Sequence, residues 1–279
     1  MKEVFFSAKN EAGRLIQRAK SLARNQGMYS HFSEERIIRK YLAQLSPKER
    51  FAVDIAAQDG RTMSNSYRLF LDGFAGIAFE YDATQFAKLS ALYRKFDGVQ
   101  LIRSRITPQN APVFLQACGT PKEFAFLSLD IDSFDYFVLA EVLKEFRPRL
   151  ICAEINECIP PPLRFTVLFD PAGHWSKDQF MGQSLSQLCD LAQKHRYDLV
   201  ELHYNNAFLI PHEINPGVAL EPSKAFKAGY VDQPDRKRKF PWNREWEPVL
   251  SMNPAQAKRF IDDKFRSYAG KYSLSVGGK

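Results

Sequence analysis

Apolar residues fall in short runs that alternate with stretches of helical period. Phe51–Ala57, Gly76–Glu80, Val99–Arg103, Phe124–Asp130 and Leu150–Asn156 read as strands. Between them, 65–71, 83–95, 112–117 and 136–146 carry apolar positions three and four apart and read as helices. Such alternation predicts a mostly parallel sheet with helices on both faces. Upstream, 9–26 and 33–45 read as two amphipathic helices that end at Ser46-Pro47. Downstream, Ile159-Pro-Pro-Pro162 interrupts the rhythm and opens a long insertion, 157–182. A helix over 183–195 and two closing strands, 197–204 and 206–210, complete the pattern. The predicted organisation is a helical lead-in (1–48), an α/β domain (49–212) containing the insertion, and a basic, aromatic C-terminal extension (213–279) with a helix over 254–268.

Bulk composition adds limits. The 279 residues are 45% hydrophobic and 25% charged, ordinary for a globular chain with a sizeable core. Lys plus Arg is 39 and Asp plus Glu is 32, a net +7 concentrated near the N-terminus and at Arg236-Lys-Arg-Lys239. No nucleic-acid motif accompanies that charge, so a solvated face is favoured over nucleic-acid binding. The four cysteines lack metal-ligand spacing and read as reduced thiols. No signal peptide and no apolar run of membrane-spanning length is seen, so a cytoplasmic location is expected. A homo-oligomer remains open.

Candidate chemistry gathers at the carboxyl ends of the predicted strands, where open α/β sheets bind ligands. The first strand runs through Asp54 into a turn of small residues, Ala56-Ala-Gln-Asp-Gly60. Glu80 ends the second strand, where a carboxylate accepts hydrogen bonds from both hydroxyls of a ribose. Asp130, Asp132 and Asp135 leave the fourth strand, and Glu154 and Asn156 leave the fifth. If each strand extends through these residues, Asp130 and Asp132 share a side, as do Glu154 and Asn156. The four would converge either as a hard-cation site for Mg²⁺ or another divalent ion, or as a hydrogen-bonded polar cluster without metal. Helix capping by Asp132 or Ser133 accounts for one of these polar groups at most. His174, in the insertion beside Trp175, is the best histidine for a base or substrate contact; His203 is a second, and His195 reads as a structural helix end.

Taken together, Asp54–Gly60 with Ser64-Asn-Ser66, Glu80-Tyr-Asp82, Leu127-Ser-Leu-Asp-Ile-Asp-Ser-Phe-Asp-Tyr136, Arg149–Asn156, Gly182-Gln-Ser-Leu185 and Asn206–Ile210 resemble class I S-adenosylmethionine-dependent methyltransferases, in particular the FkbM-type subgroup. The resemblance implies a Rossmann-like seven-stranded sheet whose last strand is antiparallel. It implies S-adenosylmethionine as cofactor. Asp54 and the Ala56–Gly60 turn, including Gln58, would hold its amino-acid part, with Ser64 and Asn65 near the carboxylate. Glu80 would hold the ribose, and Thr107 and Asp130 would border the adenine and sulfonium. Asp130 and Asp132, then His174, are the candidate bases, and Asp130, Asp132, Glu154 and Asn156 the candidate metal ligands. The expected acceptor is a small molecule or glycan methylated on oxygen. N-methylation of a peptide side chain and a non-catalytic adenosyl-binding module with a partner-binding tail are the alternatives. The chain departs from the family at the first glycine of the turn, which is Ala56 here; its methyl would crowd the methionine moiety.

Overall fold

The structure, a computed structural model, describes residues 28–43, 45–46, 49–173 and 175–277. The helix expected over 9–26 lies outside the described residues. Seven strands form the central sheet: β1 (Phe51–Ile55), β2 (Ala75–Glu80), β3 (Val99–Arg103), β4 (Glu123–Leu129), β5 (Arg147–Glu154), β7 (Tyr197–His203) and β8 (Asn206–Pro211). Their order is β3-β2-β1-β4-β5-β8-β7. Pairs from β3 through β5 are parallel, whereas β8 runs antiparallel to both β5 and β7. That order, with its single reversed strand, defines a Rossmann-like α/β sheet of the kind expected. The chain leaves β1 toward β2 on one side and pairs with β4 on the other, so the switch point lies between β1 and β4.

Central strands read as near-continuous apolar runs because both their faces are covered. On one face, α1 (Glu35–Leu42), α2 (Tyr67–Leu71) and α3 (Ala83–Tyr93) pack Ile38, Phe70 and Tyr93 against Ala52, Phe126 and Leu150. On the other, α4 (Ala111–Ala117), α5 (Asp135–Glu145) and α6 (Leu185–Lys194) pack Leu115, Leu139 and Leu188 against Val53, Leu127 and Ile151. Alternation along each strand decides which residue meets which layer.

The predicted insertion is not all loop. It holds β6 (Leu163–Val167), which pairs antiparallel with β9 (Tyr272–Val276) near the end of the described chain. Between β8 and β9 lie the short helices α7 (Pro222–Phe226) and α8 (Arg236–Lys239), a 3-10 stretch at Pro241–Ser251, and α9 (Pro254–Lys264). A third apolar core joins Leu163 and Phe165 to Trp246, Val249, Ile261 and Phe265. Insertion and extension thus share one core although they are far apart in sequence. Among the described residues, no helix is long and apolar enough to cross a membrane.

Candidate functional site

β1 stops at Ile55 because the next backbone is left-handed. Ala56 has φ 71°, Gln58 51° and Gly60 77°. A side chain on Gly60 would collide with Leu89 and Tyr93, so glycine is required there sterically as well as conformationally. Ala56 and Gln58 adopt the same region without that freedom. What holds the turn is its backbone bonding. Ala57 N donates to the Phe79 carbonyl at 2.8 Å, and Tyr93 Oη donates to the Gly60 carbonyl at 2.8 Å. Gln58 N donates to Glu80 Oε2 at 2.7 Å, while Asp82 N donates to Glu80 Oε1 at 2.6 Å. Glu80 is buried and ties the turn after β1 to the start of α3. Each of its oxygens keeps one lone pair for a ligand.

Asp54 lies behind this turn. Its Oδ2 accepts from Ser66 Oγ, and Ser64 Oγ accepts from Tyr67 N at 2.9 Å. Burial pushes the Asp54 carboxyl up to about 7; the Ser66 hydrogen bond opposes this, and the charges of Asp130 and Glu80 add to it. Asn65 is likewise behind the turn, with its amide nitrogen 3.5 Å from Cys152 Sγ. Thr107 starts the α4 region, where its N–H donates to Asn110 Oδ1 at 2.7 Å.

At the sheet's other half, β4 ends at Leu129, one residue before the expected Asp130. Strand alternation therefore does not place Asp132 beside Asp130. A left-handed backbone at Asp132, φ 55°, does so instead. Ligand atoms of Asp130, Asp132 and Glu154 all lie within 4.8 Å of one another. Asp135, the third acid of the run, braces the loop from below. It is buried and accepts from Ile131 N at 2.8 Å and Ser133 N at 3.0 Å. Burial, with Asp130's charge, pushes its carboxyl up to about 6. The expected cap from Asp132 or Ser133 is not made: α5 begins after Phe134, with no side-chain cap.

Asp130 reaches solvent by surface area, yet protein atoms crowd its carboxylate, and that crowding governs its ionisation. Burial raises it. Burial also raises Glu154, well above the usual carboxylate range, and the charges of Asp130 and Asp132 add to the effect. Asn205 Nδ2 steadies Glu154 by donating to Oε1 at 2.6 Å.

Asn156, the fourth expected ligand, is turned elsewhere. β5 ends at Glu154, so alternation stops before Asn156. Its amide donates to the carbonyls of Gln179 at 2.7 Å and Met181 at 3.0 Å, and it accepts from Cys158 N at 3.1 Å. Asn156 thus fixes the insertion's return path rather than joining the carboxylates.

These elements enclose a cleft of about 440 Å³ over the switch point. Of the expected ligand contacts, Ala56, Gln58, Glu80, Asp130 and Asp132 line it; Asp54, Gly60, Ser64, Asn65 and Thr107 do not. Arg105 and Phe134 also line it, as do Gly173, Trp175 and Lys177 from the insertion. His174 lies outside the described residues. Arg105 and Lys177 carried no sequence signal, because an isolated basic residue in a loop is indistinguishable from surface. His203 is directed away: its Nε2 lies 2.8 Å from the Phe32 carbonyl. His195 caps the end of α6, and burial lowers its pKa.

The basic run over α8 is compensated internally. Arg236 Nη2 meets Glu247 at 2.9 Å, Arg238 meets Asp235 at 3.0 Å, and Lys239 meets Asp235 at 3.5 Å. The site's own donor set is hard oxygen from three carboxylates, a set that suits a divalent cation and whose mutual repulsion such a cation would relieve.

No protein-family model and no curated protein sequence matches the chain. Solved structures similar to it include a fibrillarin/Nop5p complex, with 16% identity, 64% of this chain and 79% of that chain covered, and TM-score 0.41. A magnesium protoporphyrin IX methyltransferase from Synechocystis PCC 6803 with bound SAM is 6% identical, covering 63% and 77%, with TM-score 0.41. The N-terminal domain of EvdMO1 with SAH bound is 8% identical, covering 63% and 77%, with TM-score 0.39.

Proposed function

We propose that the chain is an S-adenosylmethionine-dependent methyltransferase of the FkbM type, acting on oxygen of a small-molecule or glycan acceptor. The observation that carries this reading is Glu80. A buried carboxylate at the end of β2 is oriented by the N–H groups of Gln58 and Asp82 and opens onto the cleft. Its spare lone pairs suit a ribose diol. Bound S-adenosylmethionine would supply an electrophilic methyl group. The chain's own task is then to align an acceptor hydroxyl and take its proton. Asp130 and Asp132 are the residues for that role, because they line the cleft, and burial raises the Asp130 carboxyl, which makes it a stronger base. A divalent cation held by Asp130, Asp132 and Glu154 would do part of the same work by acidifying the hydroxyl. The turn backbone of Ala56–Gln58 would face the amino-acid end of the cofactor.

Titration calorimetry with S-adenosylmethionine and S-adenosylhomocysteine tests the reading. Micromolar binding of both, weakened by Glu80→Gln, is expected. No heat from either at millimolar concentration sinks it.

A further inference from the structure

The cleft is roofed by a loop of the insertion, residues 168–173 and 175–178, and that loop is fastened at both ends. At its far end, Tyr268 Oη donates to Asp178 Oδ2 at 2.5 Å and accepts from Ser176 Oγ at 2.9 Å, while the Tyr268 ring stacks on Phe180 at 3.9 Å. Trp175 Nε1 closes the loop on itself through the Asp178 carbonyl at 2.9 Å. At its near end, the attachment comes from across the cleft. Arg105, just beyond β3, donates from Nη1 to the Pro171 carbonyl at 2.5 Å and from Nη2 to the Gly173 carbonyl. Its guanidinium lies 5.5 Å over the Phe134 ring, and Phe134 packs edge-on against Phe169 at 4.8 Å.

We propose that Arg105 is a positioning residue: it sets the roof that carries Gly173, Trp175 and Lys177 over the cleft, and so governs how long an adenosyl ligand stays bound. The second half of this statement rests on the function proposed above. A planar guanidinium satisfies two carbonyls of one loop at once, and its aromatic platform fixes its direction. No single neutral side chain reproduces that geometry. Arg105 acts through the roof and is not assigned to the methyl-transfer step.

The test uses the full chain with Arg105→Ala and Arg105→Lys. Arg105 is half-exposed, so neither change threatens the core. Hydrogen exchange of the ligand-free protein should accelerate in Arg105→Ala by roughly ten- to a hundred-fold, the scale of losing two hydrogen bonds of ordinary net strength at a half-exposed site, and only over residues 168–173 and 175–178. S-adenosylhomocysteine dissociation, followed by stopped-flow tryptophan fluorescence, should quicken by a similar factor. Lysine, which keeps the charge without the fork, should restore part of both effects. Unchanged exchange over those residues, or acceleration spread through the sheet, overturns the positioning role. Faster exchange of the roof with unchanged ligand dissociation overturns the link to residence. If the unaltered protein binds no S-adenosylhomocysteine, the proposed function falls, while the exchange measurement still decides what Arg105 does to the roof.

Discussion

Replacing Asp54 by Asn removes a charge that the fold holds at a cost. Asp54 is buried, and its carboxyl is pushed up to about 7 from an ordinary 3.8. Folding therefore favours its protonated form. Stability from this group is fully present below its unfolded pKa and is lost as pH rises toward the folded value. With 1.36 kcal/mol per pKa unit, the penalty works out at about 2 kcal/mol near pH 5 and about 4 kcal/mol near pH 8. Asparagine has nearly the same shape, keeps an oxygen for the Ser66 hydroxyl, and carries no ionisation penalty. Asp54→Asn should therefore be more stable than the parent, and its advantage should grow by about 2–3 kcal/mol between those two pH values. Urea denaturation at both pH values, with equal m-values, measures this directly. Identical pH dependence in the two proteins would refute the argument, since it would mean that Asp54 ionises in the folded state as easily as in the unfolded one.

Ala56→Gly should relieve about 1–2 kcal/mol of left-handed strain against about 0.4–1 kcal/mol of added unfolded-chain entropy. A small rise in Tm and tighter S-adenosylhomocysteine binding are expected, and a destabilised variant would contradict the strain at φ 71°. Glu80→Ala strands the N–H groups of Gln58 and Asp82; at about 1–3 kcal/mol for each group left unsatisfied, it should lower the unfolding free energy by several kcal/mol and abolish nucleoside binding in calorimetry. Mg²⁺ or Mn²⁺ titrated into EDTA-dialysed protein should bind, and Asp130→Asn with Asp132→Asn should eliminate that heat; turnover undiminished in EDTA would remove the metal from the proposal. A cationic cofactor beside Asp130, which lines the cleft, should favour that carboxyl's ionised form, so it should release a proton on binding and bind more tightly as pH rises; affinity independent of pH would show that this carboxylate does not sense it.

The sheet was legible because each central strand is buried on both faces and must be apolar throughout. β3 falls where its run lies, and β1, β2, β4 and β5 fall within a few residues of theirs. Strand ends were less legible, and the site depends on them. Runs that read as reaching Ala57, Asp130 and Asn156 stop at Ile55, Leu129 and Glu154. At β1 a left-handed residue follows at once, a tertiary choice that alanine does not announce. Those few residues decide that Asp54 faces inward, that Asp132 returns to Asp130 through a turn, and that Asn156 serves the insertion. The roof was illegible for another reason. β6 is a short apolar stretch whose partner lies on the order of a hundred residues away, and no local period records such a pairing.

That pairing also orders events in time. During synthesis β6 leaves the ribosome long before β9 exists, and every strand of the main sheet, through β8, is also made before β9. The Rossmann-like sheet can therefore be complete while Phe165 and its neighbours still present an open apolar edge. The roof over the cleft would then be the last part of the site to settle, and a chain stopped short of Tyr272 would hold an intact sheet beside an adhesive strand. Loss of those few residues would register first as aggregation and only secondarily as loss of fold.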